Sequence, residues 1–168
     1  QTIDTDSEAI CLTSNETSAG VYTSEDEMHA LKQKNPDKLM VVDAVSSLPY
    51  PKFNFEYIDS VLFSVQKAFG LPAGLGVWIL NEKCIEKAER KVAEQNGYVG
   101  THHNLLNLVK NAEKYETACT PNILNIYLMG KVAGDLLERG IDKVRNETDE
   151  KAKKLYEFVE KQIGRAHV

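Results

Sequence analysis

The chain has 168 residues, 42% of them hydrophobic and 27% charged, with a formal net charge of −5, the composition of an ordinary globular protein with enough apolar material for a core. No apolar run approaches the roughly 18 residues that cross a bilayer, no basic segment leads into an apolar one at the N-terminus as in a signal peptide, and the acidic balance without a basic stripe argues against nucleic-acid binding. Cys11, Cys84 and Cys119 are too irregularly spaced for a disulfide framework or a zinc site and suit reduced thiols in a cytoplasmic protein.

In chain order, Ala9 to Thr13 is a short apolar run that predicts a buried strand, and the polar stretch Ser14 to Gly20 predicts a loop at its C-terminal end. Ser24 to Lys34 predicts a helix: Ser24 caps it, Glu25, Asp26 and Glu27 suit the positive end of its dipole, Met28 and Leu31 share a face, and Asn35-Pro36 ends it. Leu39 to Val42 is apolar without alternation, the pattern of a strand covered on both faces. Asp43 stands at its tip, where an aspartate commonly serves as a turn former or helix cap. Leu48 to Phe55, with Pro49 and Pro51, predicts a turn-rich connection.

The stretch from Ser60 to Leu80 carries the most information. An apolar run, Val61 to Val65, leads through Gln66 to Lys67 and into a loop holding Gly70, Pro72, Gly74 and Gly76, and a second apolar run, Val77 to Leu80, leaves it. Glycines allow positive φ and close approach of backbone to a ligand, and a proline stiffens such a loop. A lysine between two buried strands costs several kcal/mol of desolvation unless it is neutral or has a use. The alternative is a lysine that snorkels its head into water from a strand end.

Beyond it, Asn81 to Gln95 predicts an amphipathic helix with Ile85, Ala88 and Val92 on one face, ended by Asn96-Gly97. His102 and His103 fall in a loop with no further ligand at metal-binding spacing. Leu105 to Lys114 predicts a short helix. Ile123 to Glu138, closed by Gly140, and Ile141 to Gln162 predict two longer ones. Residues 163–168, I-G-R-A-H-V, resemble the translation of a sequencing adapter, which predicts a non-native tail on a gene fragment.

Four motifs fall in one order: S-N-E-T-S-A-G from Ser14, L-M-V-V-D-A-V-S-S ending its strand in Asp43, V-Q-K-A-F-G-L-P-A-G-L-G around Lys67, and T-A-C-T-P-N around Thr120. Together they resemble the class V aminotransferases, pyridoxal-phosphate enzymes of fold type I, in the branch that holds the phosphoserine and alanine-glyoxylate aminotransferases. The resemblance implies an α/β fold, part of the fold type I large domain with a mostly parallel sheet flanked by helices, plus the helical start of the small C-terminal domain. It divides the chain into a partial cofactor-binding domain over residues 1–121, linking helices over 122–162, and the tail.

The resemblance also implies roles. Lys67 would hold pyridoxal 5'-phosphate and act as the base that moves the substrate's α-proton, its pKa lowered by its setting. Asp43 would keep the ring nitrogen protonated. Gln66 and Thr17 would lie beside the ring hydroxyl. Thr120 would reach the cofactor phosphate of a neighbouring subunit in a homodimer with shared active sites; by its sequence context alone it equally suits the cap of a helix starting near Pro121. Gln66 favours an aminotransferase over the cysteine desulfurases of the same class, which carry His before the lysine. Substrates implied are an amino acid and a 2-oxo acid, phosphoserine aminotransferase chemistry first and alanine or serine with glyoxylate or pyruvate second. The resemblance places the family's phosphate cup and substrate-gripping arginine mostly outside this stretch; an isolated part of the domain, with an unpaired sheet edge and exposed apolar helix faces, gives the non-enzymatic reading of an association module.

Overall fold

The computed structural model describes residues 3–4, 6–94, 100 and 104–162. His102, His103, the Asn96-Gly97 helix stop and the 163–168 tail lie outside the described residues. Strand β1 (Ala9–Thr13) is followed by a small antiparallel hairpin, β2 (Asn15–Glu16) with β3 (Val21–Tyr22), then helix α1 (Glu25–Lys34) and strands β4 (Leu39–Asp43), β5 (Ser60–Ser64) and β6 (Gly76–Leu80). Helices α2 (Glu82–Glu94), α3 (Leu105–Ala112), α4 (Ile123–Arg139) and α5 (Ile141–Gln162) complete the order. The hairpin occupies part of the stretch expected to be loop throughout. Its turn closes on Gly20 at a φ of +65°, a conformation glycine adopts without strain.

Residues 1–126 form one compact unit and residues 127–168 another, the boundary falling inside α4. In the first, a four-stranded sheet runs in the order β1-β4-β5-β6, with β1, β4 and β5 parallel and β6 antiparallel to β5. The mostly parallel sheet with flanking helices is the expected architecture. Register aligns Thr13 with Asp43 and Asp43 with Leu62, so the carboxyl ends of the three parallel strands share one edge.

Helix α1 forms where its start signals place it. Ser24 stays extended and accepts from the Glu27 N–H while the Glu27 carboxylate accepts from the Ser24 N–H, a reciprocal capping box. Its apolar residue Met28 is fully buried against Met40, Val42, Ala44, Ile58 and Val61, with Ile10, Leu12 and Leu31 at the margin of that core. Burial in β4 alternates: Met40 and Val42 are buried, whereas Leu39, Val41 and Asp43 are half-buried. The expectation of a strand covered on both faces is therefore corrected, because among the described residues this core covers one face only. On the other face Leu62 pairs with Trp78, and both are exposed. The second apolar run is likewise not a buried strand: β6 is the last strand in the sheet order, and Trp78 and Ile79 remain open to solvent.

At the amino ends of β4 and β5, Asp59 gathers the elements. Its fully buried carboxylate accepts from Lys32 Nζ and the Met40 N–H, both at 2.8 Å, and from Asn81 Nδ2 at 2.9 Å. Burial alone raises a carboxyl's pKa, but the hydrogen bonds from Lys32, Asn81 and Met40 together outweigh it and hold Asp59 below its ordinary value. The Asp59 carbonyl in turn accepts from the Asn81 N–H at 2.9 Å and from Cys84 Sγ at 3.3 Å, tying the start of α2 to the sheet.

The second unit is helical. Gly140, at a φ of +83°, closes α4 as the sequence predicts, and Arg139 Nη2 pairs with Glu147 at 2.7 Å across the turn into α5. Leu155, Tyr156 and Phe158 of α5 are exposed.

Candidate functional site

The loop after β5 is built to a definite shape. The Gly70 N–H donates to the Lys67 carbonyl at 3.0 Å, closing a turn that needs the positive φ of +68° at Gly70. The Leu71 N–H donates to the Val65 carbonyl at 3.1 Å, and the Val65 N–H donates to the Leu75 carbonyl at 3.3 Å, so both backbone groups of Val65 draw the loop shut. Phe69 stacks on Phe63 of β5 with centroids 5.1 Å apart. Within this frame Gln66 and Lys67 are exposed, and the Lys67 amine makes no ion pair or hydrogen bond among the described residues. A buried lysine was expected here; the half-open edge strand beside it leaves the amine in water, as the snorkelling alternative had it.

Asp43 ends β4 beside the end of β1. Its Oδ1 accepts from the Val45 N–H at 2.9 Å, a turn-forming bond of the kind expected of an aspartate after a strand. The Ser14 N–H donates to the Asp43 carbonyl at 2.8 Å, and the Ala44 N–H donates to Leu62 at 2.8 Å, so the ends of β1, β4 and β5 are laced together. Asp43, Cys11, Leu12, Thr13, Val41 and Leu62 line an open depression at these ends. A crevice beyond the carboxyl ends of parallel strands is where open α/β sheets bind ligands. Thr17 is exposed in the hairpin turn between β2 and β3, which β1 delivers to the same edge. The Thr23 N–H donates to the Ser14 carbonyl at 2.8 Å and its hydroxyl to the Thr13 carbonyl at 3.2 Å, fixing the hairpin's base.

Thr120 is exposed in the segment before α4. It is not the helix cap. Helix α4 starts at Ile123, two residues later than a Pro121 start requires, and Asn122 Oδ1 accepts from the Asn125 N–H at 3.1 Å in the capping position. These two asparagines also reach the lysine loop: Asn125 Nδ2 donates to the Pro72 carbonyl at 2.8 Å, and Asn122 Nδ2 lies 3.5 Å from the Gly74 carbonyl. The P-N-I-L-N spacing signals a helix start, but nothing in it points at a loop so distant in the chain. Ser14, fully buried at the end of β1, has a hydroxyl without a hydrogen-bond partner among the described residues.

The residues present suit pyridoxal 5'-phosphate. Lys67 offers an unengaged amine to an aldehyde, and Asp43 keeps Oδ2 without a hydrogen bond among the described residues, an acceptor for a protonated ring nitrogen.

The aminotransferase class-V family model matches residues 1–166. An uncharacterised aminotransferase of Helicobacter pylori is 31% identical over 119 residues, spanning 70% of this chain and 31% of that protein. Alanine–glyoxylate aminotransferase 1 of Saccharomyces cerevisiae is 30% identical over 120 residues, spanning 68% of this chain and 31% of that one. Among solved structures, a phosphoserine aminotransferase from Cytophaga hutchinsonii superposes with a TM-score of 0.89 at 49% identity, over 95% of this chain and 44% of its own. The chain spans about a third of the length of these curated relatives. With the family model matched from residue 1 to 166 and this fold beneath it, the chain belongs to the class-V aminotransferases, fold type I enzymes that use pyridoxal 5'-phosphate.

Proposed function

We propose that this chain forms part of an aminotransferase that moves an amino group between an amino acid and a 2-oxo acid, with glutamate and 3-phosphohydroxypyruvate as the pair. The observation that carries the reading is the unengaged Lys67 amine on a loop at the same sheet edge as the Asp43 carboxylate. The similarity to a phosphoserine aminotransferase at 49% identity favours that substrate pair. The cofactor, when bound, supplies an electron sink for the substrate's α-carbon.

The chain's own groups then have distinct tasks. The Lys67 Nζ would hold the cofactor and would be the base that takes and returns the α-proton. Asp43 Oδ2 holds the proton on the ring nitrogen, while Oδ1 stays in its turn with Val45. Gln66 and Thr17 donate to the ring hydroxyl. The Thr120 hydroxyl donates to the phosphate of the cofactor bound by a partner subunit. On this reading residues 1–121 belong to the cofactor-binding domain and 122–162 link it to the small domain.

Two measurements test this. Borohydride reduction of the holoenzyme followed by peptide mapping places the label on Lys67; label on another lysine overturns the assignment. Amino transfer from glutamate to 3-phosphohydroxypyruvate is expected to exceed transfer from alanine to glyoxylate. The reverse preference moves the protein to the alanine–glyoxylate branch, to which the yeast relative belongs.

A further inference from the structure

Asn125 is 1% exposed although it stands in the first turn of a helix whose neighbours Ile123, Leu124 and Ile126 are exposed. A buried amide needs partners. Its Nδ2 finds them in the lysine loop, donating to the Pro72 carbonyl at 2.8 Å and reaching the Ala73 carbonyl at 3.4 Å. Asn122, whose Oδ1 holds the Asn125 N–H, sets its own Nδ2 3.5 Å from the next carbonyl, that of Gly74. Three successive carbonyls of the loop thus face two amides at one helix start. Gly74 adopts a φ of +116°, and a Cβ there would come within 3.1 Å of Asn122 Nδ2. The positive φ favours glycine there, and any larger residue would also have to push the Asn122 amide back by a few tenths of an ångström.

The segment so held is the return limb of the loop that carries Lys67. Its flanking residues Leu71 and Leu75 are the partners of Val65, the residue at the foot of the loop. Releasing Pro72, Ala73 and Gly74 removes what presses Leu71 and Leu75 against Val65, and Gln66-Lys67 loses its fixed base. We propose that Asn125 is a positioning residue for Lys67, clamping the lysine loop to the start of α4 so that the Lys67 loop and the Thr120 segment keep one geometry. The clamp is read from contacts alone; its bearing on catalysis rests on the proposed role of Lys67.

Hydrogen exchange on the unmodified holoenzyme is the first measurement. The Leu71 amide, bonded to Val65, and the Ile126 amide, bonded to Asn122 at 3.1 Å, are expected to open together with equal protection. Separate openings overturn the clamp. The second measurement uses Asn125→Asp, nearly the same shape, which turns an oxygen toward the Pro72 and Ala73 carbonyls. Exchange at Gly70 and Leu71 is expected to rise about tenfold, as for the loss of a buried hydrogen bond, while the Met40 amide, held by Asp59, keeps its rate. The pH midpoint of the bound cofactor's visible absorption is expected to move, and kcat to fall with KM unchanged. Asn125→Gln, which keeps an amide donor, is expected to return part of both changes. Wild-type exchange at Gly70 and Leu71 in Asn125→Asp overturns the clamp. An unmoved absorption midpoint, in an enzyme whose borohydride label lies on Lys67, overturns the positioning role while leaving the function of Lys67 intact. Should Asn125→Asp fail to fold, the exchange pattern of the unmodified protein decides.

Discussion

In the proposed role Asp43 would divide its work between its two oxygens, one a turn former and the other a proton holder. Oδ1 is committed to the Val45 N–H at 2.9 Å. Asp43→Asn keeps that acceptor, so the unfolding midpoint is expected to stay at the wild-type value. Turnover is expected to fall by about a hundredfold or more, because a neutral amide does not hold a proton on the ring nitrogen; near-normal turnover would remove Asp43 from the site. Lys67→Ala is expected to abolish turnover and the borohydride label together. The strand tip and the glycine loop that carry these two residues were legible in the sequence because they mark themselves locally; the roles proposed for the residues come from the resemblance. The asparagine clamp was not, since Asn125 meets Pro72 only through the tertiary fold. The exposure of Lys67 was misjudged because an apolar run such as Val77 to Leu80 does not announce that it is an edge strand.

At the scale of elements, the strongest constraint lies at the opposite end of the strands from the site. Asp59 binds α1 through Lys32, β4 through Met40 and the start of α2 through Asn81. Lys32→Met would take from a buried carboxylate its hydrogen-bonded cation and leave only the exposed Lys83 at 3.9 Å, a change whose cost approaches that of comparable broken pairs, about 3–5 kcal/mol; a shift in the urea midpoint measures it. Because Asp59 is held below its ordinary value of 3.8, its contribution to stability is complete above that pH and disappears as the pH falls through the lower, folded value. Asp59→Asn is expected to flatten the acid limb of the stability profile, and an unchanged limb would show that other carboxyls set it. At α1, Ser24→Ala is expected to cost about 1 kcal/mol, since the Glu27 N–H loses its acceptor and the Glu27 carboxylate loses the hydroxyl's hydrogen bond, while the Ser24 N–H half of the box remains. Helix starts and ends were readable because caps are local chemistry, as Ser24, Asn35 and Gly140 each illustrate. Which strand face is covered was not, because an apolar run is the same string of letters whether one face or two will meet a partner.

For the whole molecule, the reading of a shared active site makes a prediction that a site within one chain does not. Mixing Lys67→Ala with Thr120→Trp under conditions that exchange subunits is expected to restore part of the activity, since one heterodimer site then recovers both intact residues. No recovery would place Thr120 and Lys67 in the same site of one chain. The open face of the sheet supplies a reporter for such work. Trp78 is the only tryptophan in the chain; it is 46% exposed beside Leu62, and its indole Nε1 donates to Ser60 Oγ at 2.7 Å. Its emission is therefore a built-in gauge of water at that face, red where solvent reaches the indole and blue where protein covers it, readable in mixtures that no label has touched.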